Sequence, residues 1–154
     1  MSIDDAARTG GATGAEITGV ARGDRRTKDL AKRIKPGEIA VIDHRDHDTV
    51  ATESLIEAGV AAVVNADASI SGRYPNVGPL LLPAAGVPMV DQVGSEVMDQ
   101  IVDGTTITIR GHQVLVAGAV VAEGCAQDMD TMAAILETSR QSMGDELERF
   151  ASNT

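Results

Sequence analysis

Two short, wholly aliphatic runs constrain the fold of this chain more than any other feature. They are Ile39–Ile42 and residues 60–64, and each is bounded by a turn signal or by polar residues. Apolar runs of this length without polar alternation are typical of strands that are buried on both faces of a sheet. The segment between them has a helix-capping aspartate, Asp46 or Asp48, and ends at Gly59. Two buried strands joined by a helix predict parallel strands with a right-handed crossover.

The remaining segments extend this alternation of strands and helices. In the first helix after the buried run we expect Val50, Leu55 and Ile56 to face inward. Period-2 alternation and a Gly111-His112 turn predict a β-hairpin late in the chain, and we expect His112 to be exposed there. Further helices are predicted at residues 27–34 and 80–85 and from a Ser95 cap to residue 101, and further strands at residues 87–90, 106–110, 114–116 and 120–122. The fold class predicted is therefore α/β, with a mostly parallel sheet and a β-hairpin.

A stripe of apolar side chains recurs at steps of three and four residues near the end of the chain, which is the spacing of one helix face. Ser139 interrupts the stripe and Gly144 weakens it. The predicted helix is longer than the roughly 11–12 residues of an average helix. It either pairs with another chain or a missing segment, or folds back on its own sheet. The stripe contains Met129 and five candidate interaction residues, Met132, Leu136, Met143, Leu147 and Phe150.

Composition limits the class of protein and its compartment. The single cysteine, Cys125, excludes an internal disulfide and a cysteine zinc cluster. The first residues lack the pattern of a signal peptide, and no apolar run approaches the ~20 residues of a membrane span. We therefore expect a cytoplasmic protein with no membrane insertion in this chain. Residues 1–15 predict a disordered tail, residues 16–127 an α/β domain, and residues 128–154 a C-terminal helix leading to a segment absent from this sequence.

The charge distribution is uneven. The net charge of −10 argues against a nucleic-acid partner, because neutralising phosphates requires an excess of Lys and Arg. Residues 22–35 nevertheless contain seven basic and two acidic side chains, a local net charge of +5. This basic stretch either meets an acidic partner, an anionic lipid surface or a nucleotide, or forms a solvated helix face whose field the acidic remainder absorbs.

A polar loop over residues 65–79 follows the second predicted strand. Ligands bind at the carboxyl ends of strands in open α/β sheets, and hydroxyls, a guanidinium and glycine N–H groups suit an anion or a sugar phosphate. The Gly-Lys-Ser/Thr ending of a Walker loop is absent. Alternatively, the loop packs against its own domain, with Tyr74 and Pro75 as plugs. The candidate ligand-binding residues are Asn65, Ser69, Ser71, Gly72, Arg73, Tyr74, Asn76 and Gly78; no cofactor is expected beyond a phosphate or nucleotide ligand.

Other reactive side chains give weaker indications. Residues 43–48 contain two histidines and three aspartates, but alternate strand residues diverge and one aspartate caps a helix, so we predict no metal site. Cys125 is either a low-pKa thiol at a helix N-terminus or a small buried filler. Neither serine of the polar loop has an evident base. We therefore predict no catalytic residue in this chain.

Four segments resemble, in their order and spacing, the swivelling β/β/α domain of phosphoenolpyruvate-utilising enzymes. In that family a phosphocarrier histidine stands at the head of the helix before the Gly-Ile-Pro strand. Asn76 and Val77 occupy the corresponding positions here, so the resemblance implies the fold and not phosphoryl transfer. The matching segments are residues 35–41, 59–64, 85–88 and 103–109.

A second resemblance extends from residue 17 to the C-terminus, and its most specific part is Ser-Ile-Ser-Gly-Arg-Tyr-Pro-Asn at residues 69–76. The chain resembles the N-terminal region of the actinobacterial SteA-like cytokinetic-ring proteins. That family continues with a thiamine-pyrophosphokinase-like domain and C-terminal membrane helices, and it is implicated in cell separation with a membrane-bound partner. The other matching strings are residues 17–22, 24–28, 41–44 and 150–154.

The second resemblance implies a non-enzymatic interaction or ligand-sensing module of a cell-division protein. The polar loop would be its recognition surface and the last helix its assembly element, giving a homo-oligomer. In the full-length protein it would act at the inner face of the membrane with a membrane-bound division partner. The alternative is the N-terminal part of a thiamine-phosphate- or nucleotide-handling enzyme whose catalytic residues lie downstream.

Overall fold

The computed structural model describes residues 16–152, so the predicted tail over residues 1–15 lies outside the described residues. Eight strands of this region form one sheet in the order β7-β6-β5-β1-β2-β3-β4-β8. The strands are β1 (Glu16–Gly23), β2 (Ile39–Ile42), β3 (Ala62–Asn65), β4 (Met89–Asp91), β5 (Thr106–Arg110), β6 (Gln113–Val116), β7 (Ala119–Glu123) and β8 (Cys125–Gln127). The α-helices are α1 (Thr27–Arg33), α2 (Thr49–Glu57), α3 (Leu81–Ala84, preceded by a 3-10 turn at Gly78–Leu80), α4 (Val97–Gln100) and α5 (Met129–Ser152).

The centre of the sheet is parallel, as the two aliphatic runs predict. β2 pairs with β3 in parallel, with Val41 opposite Val64, and every residue of both strands is buried. The connecting helix α2 is capped by Asp48, whose side chain accepts a hydrogen bond from Ala51 N at 2.9 Å. Leu55 faces the core as predicted. Val50 does not, because it lies in the first turn of α2 and is 70% exposed.

The two faces of the sheet carry separate hydrophobic clusters. Alternate residues of β2 divide between them, with Ile39 and Val41 on one face and Ala40 and Ile42 on the other. The first face is covered by α4 and by the β5–β6 strands, and the second by α1, α2, α3 and α5. Each fully buried Ile, Val or Leu contributes roughly 1.5–3 kcal/mol to stability. Aliphatic side chains buried on both faces therefore account for a core without aromatic residues.

The sheet curls until its two edges meet. β7 and β8 lie at opposite ends of the strand order, yet Gly124 alone separates them in the sequence. Gly124 N donates to His112 O at 2.9 Å. A Cβ atom here would collide with Asp91 O and would lie 2.7 Å from Val93 Cγ1. Only glycine fits at this seam, which joins the hairpin side of the sheet to its parallel side.

Some elements differ from the sequence-based expectations. β1 lies between β2 and β5, although its Thr- and Gly-containing sequence does not read as a central strand. β8 has only three residues and was not expected either. Helix α4 begins at Val97 after Glu96, so Ser95 is not its cap. The hairpin of β5, β6 and β7 is as predicted, with Ile107 and Ile109 buried on one face.

Helix α5 runs back along the sheet towards the carboxyl ends of the parallel strands. β8 is antiparallel to β4 and ends opposite Met89, at the start of that strand. Met132 and Leu136 then join the second cluster, and Ile135 Cγ2 lies 3.7 Å from the position of a Cβ on Gly72. Every residue from 140 to 152 is exposed. Within residues 16–152, no helix combines the length and the apolar character needed to cross a membrane.

Candidate functional site

Two loops at the carboxyl ends of β2 and β3 form one unit, which we call the loop pair (residues 43–48 and 65–79). Asn65 holds them together at the base. Its Oδ1 accepts from His44 N at 3.1 Å, and its Nδ2 donates to His44 O at 2.9 Å. Asp46 N adds a bond to Ala68 O at 3.0 Å. The aspartate-histidine cluster and the polar loop, which the sequence presents as separate features, therefore belong to the same edge of the sheet.

A buried imidazole lies at the centre of the loop pair. The Thr52 hydroxyl donates to Asp48 O at 2.7 Å, so its oxygen accepts from His47 Nδ1 at 2.7 Å. His47 Nε2 is then an acceptor, and Ser69 Oγ lies 2.9 Å from it. Burial, together with a smaller contribution from His44, lowers the pKa of His47 to about 4. The neutral tautomer therefore satisfies both ring nitrogens without contact with water.

The sequence did not reveal a base for Ser69, and the structure places His47 beside it. This pair, however, is closed to solvent and to any substrate. Ser69 and His47 are both 0% exposed. Ser69 Oγ also accepts from Asn65 Nδ2 at 2.8 Å and lies 3.1 Å from Met89 Sδ. A nucleophile needs access to its substrate, and these side chains have none. The Ser69–His47 contact holds the loops together.

Asp91 extends the hydrogen-bond network of the loop pair to strands β4 and β8. Its carboxylate accepts from Ser69 N at 2.9 Å and from Gln127 Nε2 at 3.1 Å, which links the loop pair, β4 and β8. Burial raises the pKa of Asp91 above its ordinary value, while these hydrogen bonds act in the opposite direction. A buried carboxylate with several donors is held in place and stabilises the loop conformation.

Asp46 fixes the outer part of the loop pair. It adopts a left-handed backbone conformation with φ of 52°, which is uncommon for a residue other than glycine. Its carboxylate accepts from Ser71 N at 2.8 Å and from Ser71 Oγ at 2.7 Å. Further along the loop, Asn76 Nδ2 donates to His47 O at 3.1 Å. A Cβ on Gly78 would lie 2.7 Å from the backbone of Asp48, so glycine is required there.

These contacts sort the eight candidate ligand-binding residues. Asn65, Ser69, Asn76 and Gly78 are buried and bonded within the loop pair, and Ser71 and Gly72 are half-buried. Arg73 and Tyr74 are exposed, and so is Pro75, so Tyr74 and Pro75 do not plug the loop. The prediction that the loop binds a ligand stays a prediction, and two of its eight residues, Arg73 and Tyr74, are exposed.

An exposed surface, which we call the loop patch, surrounds Arg73. It consists of Val50, Arg73, Tyr74 and Val77, and Tyr74 is 45% exposed and Val77 62% exposed. Val50 is included because it follows the Asp48–Thr49 backbone against which Gly78 packs, and it also borders the space between the first turns of α1 and α2. Among the contacts that the structure describes, the Arg73 guanidinium has no ion pair. The patch combines apolar surface with an unpaired cation.

Two arginines of the basic stretch are engaged within the domain. Arg22 pairs with Glu38 at 3.0 Å and with Asp103 at 3.2 Å. Arg33 contacts the same Asp103 and donates to Gly23 O. The two alternatives for this stretch, contact with an acidic partner or ligand and a solvated helix face, therefore apply to its other cations. These two arginines tie α1 and the strand ends together, and other cations of the stretch remain on the surface.

Those surface cations border a groove of about 500 Å³ between the first turns of α1 and α2. Arg25, Arg26 and Lys28 line it, and Arg25 pairs with Asp43 at 2.8 Å. On its floor, His44 Nδ1 and Thr27 Oγ1 lie 2.7 Å apart. The groove lies at the carboxyl ends of β1 and β2. The charge count indicated the cations, but β1 was not recognised, so this groove was not predicted.

The second half of α5 is exposed on the face that packs in the first half. Met132 and Leu136 are buried, whereas Met143 is 43%, Leu147 67% and Phe150 73% exposed. We call residues 140–152 the α5 overhang, which has a length of roughly 20 Å at the helical rise per residue. Two of the five candidate interaction residues therefore belong to the core, and three present an apolar surface.

Two other sequence-based interpretations, for Cys125 and His112, are resolved by position. Cys125 is exposed on β8, so it is neither a buried filler nor at a helix N-terminus, and partial burial raises the pKa of its thiol. His112 is half-buried, and its buried Nδ1 has no partner within residues 16–152. Over the same residues, no group of three or more His, Cys, Asp or Glu side chains is arranged to hold a metal ion.

Comparisons with known proteins give fold-level likenesses only. No protein-family model matches the chain, and no curated protein matches it. A 3-isopropylmalate dehydratase (LeuD) from Methanocaldococcus jannaschii is 13% identical, with 88% of this chain and 99% of that chain covered and a TM-score of 0.49. RraAS2 of Streptomyces coelicolor, an unusual RraA-family member, is 15% identical over 90% of this chain and 77% of its own, with a TM-score of 0.42. These values assign neither a family nor a function.

Proposed function

We propose that this chain is a non-enzymatic, self-assembling interaction module, the N-terminal region of a SteA-like cell-division protein. The observation that carries the proposal is the exposed apolar stripe of the α5 overhang. Soluble monomers rarely leave such a contiguous surface uncovered. One face of α5 packs in the core over its first half and is exposed over its second half. Such an exposed continuation is typical of a surface that a partner covers.

The spacing and the sequence favour a second copy as that partner. Met129, Leu136, Met143 and Phe150 follow one another at intervals of seven residues, which is the period of helices that pack against helices or grooves.

Sedimentation equilibrium tests the assembly. We expect the wild type to be dimeric and the double variant Leu147→Asp, Phe150→Asp to be monomeric, with melting temperatures within a few degrees of one another because the overhang lies outside the core. The matched control Thr138→Asp, Gln141→Asp adds the same charges on the opposite side of α5 and should remain dimeric. A wild type that is monomeric at all accessible concentrations contradicts the proposal.

The proposal includes the swivelling β/β/α fold for residues 16–127. Its support is the succession of parallel strands β1 to β4, each followed by a helix, and then a hairpin that closes against β8 at the Gly124 seam. In this assignment Val77 stands at the head of the 3-10 turn, where the phosphotransfer proteins carry histidine. The chain accordingly accepts no phosphoryl group there.

The SteA-like part of the proposal rests on the string at residues 69–76. The loop pair holds most of this string rigidly and presents Arg73 and Tyr74 to solvent. A surface prepared in this way suits recognition of another protein. In the cell, we propose cytoplasmic assembly at the inner face of the membrane, with a membrane-bound division partner.

The groove between α1 and α2 favours a second candidate function, a ligand-binding domain of a nucleotide- or thiamine-phosphate-handling enzyme. Its cations, Arg25, Arg26 and Lys28, lie where α/β sheets bind phosphorylated ligands. Catalysis would belong to residues beyond this sequence. Native mass spectrometry of the purified protein distinguishes the candidates, because a retained phosphorylated small molecule supports the second and a bare dimer supports the first.

A further inference from the structure

We infer that the loop patch of one copy is the docking site for the α5 overhang of a second copy, so that two copies exchange their C-terminal helices. This inference rests on the proposed self-assembly and assigns its second surface. It joins two exposed apolar surfaces that each lack a covering element among residues 16–152. One contains Val50, Tyr74 and Val77, and the other contains Met143, Leu147 and Phe150.

The course of α5 places the overhang beyond the loop pair of its own chain. The helix passes the polar loop where Ile135 approaches Gly72, and it also contacts the 3-10 turn at Gly78–Leu80. Ser139, one turn further on, is the last buried residue of the helix. From there a straight helix extends roughly 20 Å past the loop. Its apolar face is the face that packed on the domain, so it overhangs the loop side of the molecule.

A straight helix cannot fold back onto the loop patch that it has passed. A second copy related by a two-fold axis brings its own loop patch under the overhang, and the same operation places its overhang over the first patch. The patch–overhang contact then occurs twice in one closed dimer, and both apolar surfaces of each copy are covered. This geometry explains why the two surfaces occur at the same end of the molecule.

One charged residue of the overhang is placed to pair with Arg73. Arg73 is exposed and has no ion pair in the region that the structure describes. The overhang contains three acidic residues and two arginines, and Glu146 lies beside the apolar stripe on the helical wheel. A guanidinium beside a carboxylate at the rim of an apolar contact fixes its register and favours the correct partner. We therefore assign Glu146 of the overhang as the counter-charge of Arg73.

Helix exchange requires both the overhang and the loop patch, whereas simple pairing of two overhangs requires the overhang alone. In exchange, an overhang binds a loop patch, so damage to either surface prevents assembly. In overhang-to-overhang pairing, the loop patch is not involved and Arg73 can be changed freely. A complementation experiment with one variant of each surface separates the two arrangements.

The experiment combines Arg73→Glu, which damages the loop patch, with Leu147→Asp, Phe150→Asp, which damages the overhang. We expect each variant alone to associate at least about tenfold more weakly than the wild type. Mixed together they should form a heterodimer, because the intact overhang of the first fits the intact loop patch of the second. Differing mass tags and native mass spectrometry identify the heterodimer. Glu146→Arg should restore association to Arg73→Glu.

The controls keep the inference separate from the proposed function. Lys32→Glu makes the same charge change on an exposed position of α1 and should leave the dimer intact. Equal melting temperatures for Arg73→Glu and the wild type, at a protein concentration where both are monomeric, show that the loop pair remains folded. A dimeric wild type whose Arg73→Glu variant also dimerises normally overturns the exchange and leaves self-assembly standing. A monomeric wild type overturns both.

Discussion

The side chains of the loop pair interact mainly with one another, whereas the apolar side chains of the α5 overhang are exposed to solvent. The loop pair is rich in polar groups, and most of them are bonded to one another, with Asn65, Ser69 and His47 fully buried. The overhang is rich in apolar groups, and those at Leu147 and Phe150 contact mainly water. A polar loop that looks like a binding site is largely internal structure, while a helix stripe that looks like core is in part surface.

The sharpest test of this difference removes one side chain from each region. His47→Ala leaves a cavity and unpaired hydroxyls at Thr52 and Ser69, so we expect the free energy of unfolding to fall by about 3–4 kcal/mol. Phe150→Ala removes an exposed ring and should change it by less than about 0.5 kcal/mol in the monomer. Urea unfolding at low protein concentration measures both. Similar losses for the two variants contradict the assignment of interior and surface.

Acid should reveal the buried imidazole. The pKa of His47 is lowered from 6.5 to about 4, so between these values the unfolded chain binds a proton that the folded chain does not. Stability therefore falls as the pH falls from 6.5 to 4, by about 3 kcal/mol from this group. Asp91 acts in the opposite direction, because its raised pKa favours the folded state at low pH. The difference between the wild type and His47→Gln isolates the histidine contribution, and identical pH profiles contradict it.

Glycine-to-alanine substitutions should have opposite effects in the two regions. Gly78→Ala forces a methyl group against the Asp48 backbone, so we expect a loss of about 1–3 kcal/mol in the free energy of unfolding. Gly144→Ala has open space around the new methyl group and should favour helix by about 1 kcal/mol at that position. Chemical denaturation measures the first and far-ultraviolet circular dichroism the second. A stabilising Gly78→Ala shows that the two loops are less tightly packed than described.

The smallest effect is expected at Arg73. Arg73→Ala should change the free energy of unfolding by less than about 0.5 kcal/mol, because its side chain is exposed and unpaired in the described region. Any stabilisation of the wild type by phosphate, nucleotides or acidic peptides should disappear in this variant. Thermal melting with and without these compounds is the measurement, and Lys32→Ala is the matched control. If no such compound stabilises the wild type, a ligand role for Arg73 lacks support.

The sequence predicts those strands and helices whose local pattern of apolar residues matches the side chains that are buried in the fold. Ile39–Ile42 is apolar because both faces of β2 are covered, and this run together with residues 60–64 and the helix between them predicts parallel strands. β1 was not predicted, because Thr18 and Gly19 replace the bulky apolar residues expected of a central strand. At Gly19 the chain packs closely, and a Cβ would lie 3.0 Å from Gly37 O.

The sequence predicted where the candidate site lies, but not which contacts its residues make. The position of the polar loop after β3 follows from the strand order, and Arg73 is exposed there. The pairing of Ser69 with His47 joins residues from different loops, and no local pattern indicates such a contact. The same holds for Cys125, since its exposure on β8 depends on elements distant in the sequence.

The position of β1 between β2 and β5 has a consequence for how the chain folds during synthesis. Glu16 pairs with Arg110, so one neighbour of the first strand is made some 94 residues later. Until the ribosome has released β5, β1 has one unprotected edge available to other nascent chains. Pairings of such long range are slow to form. Completion of the sheet therefore follows completion of most of the polypeptide, and chaperones would have their greatest effect on this protein in that interval.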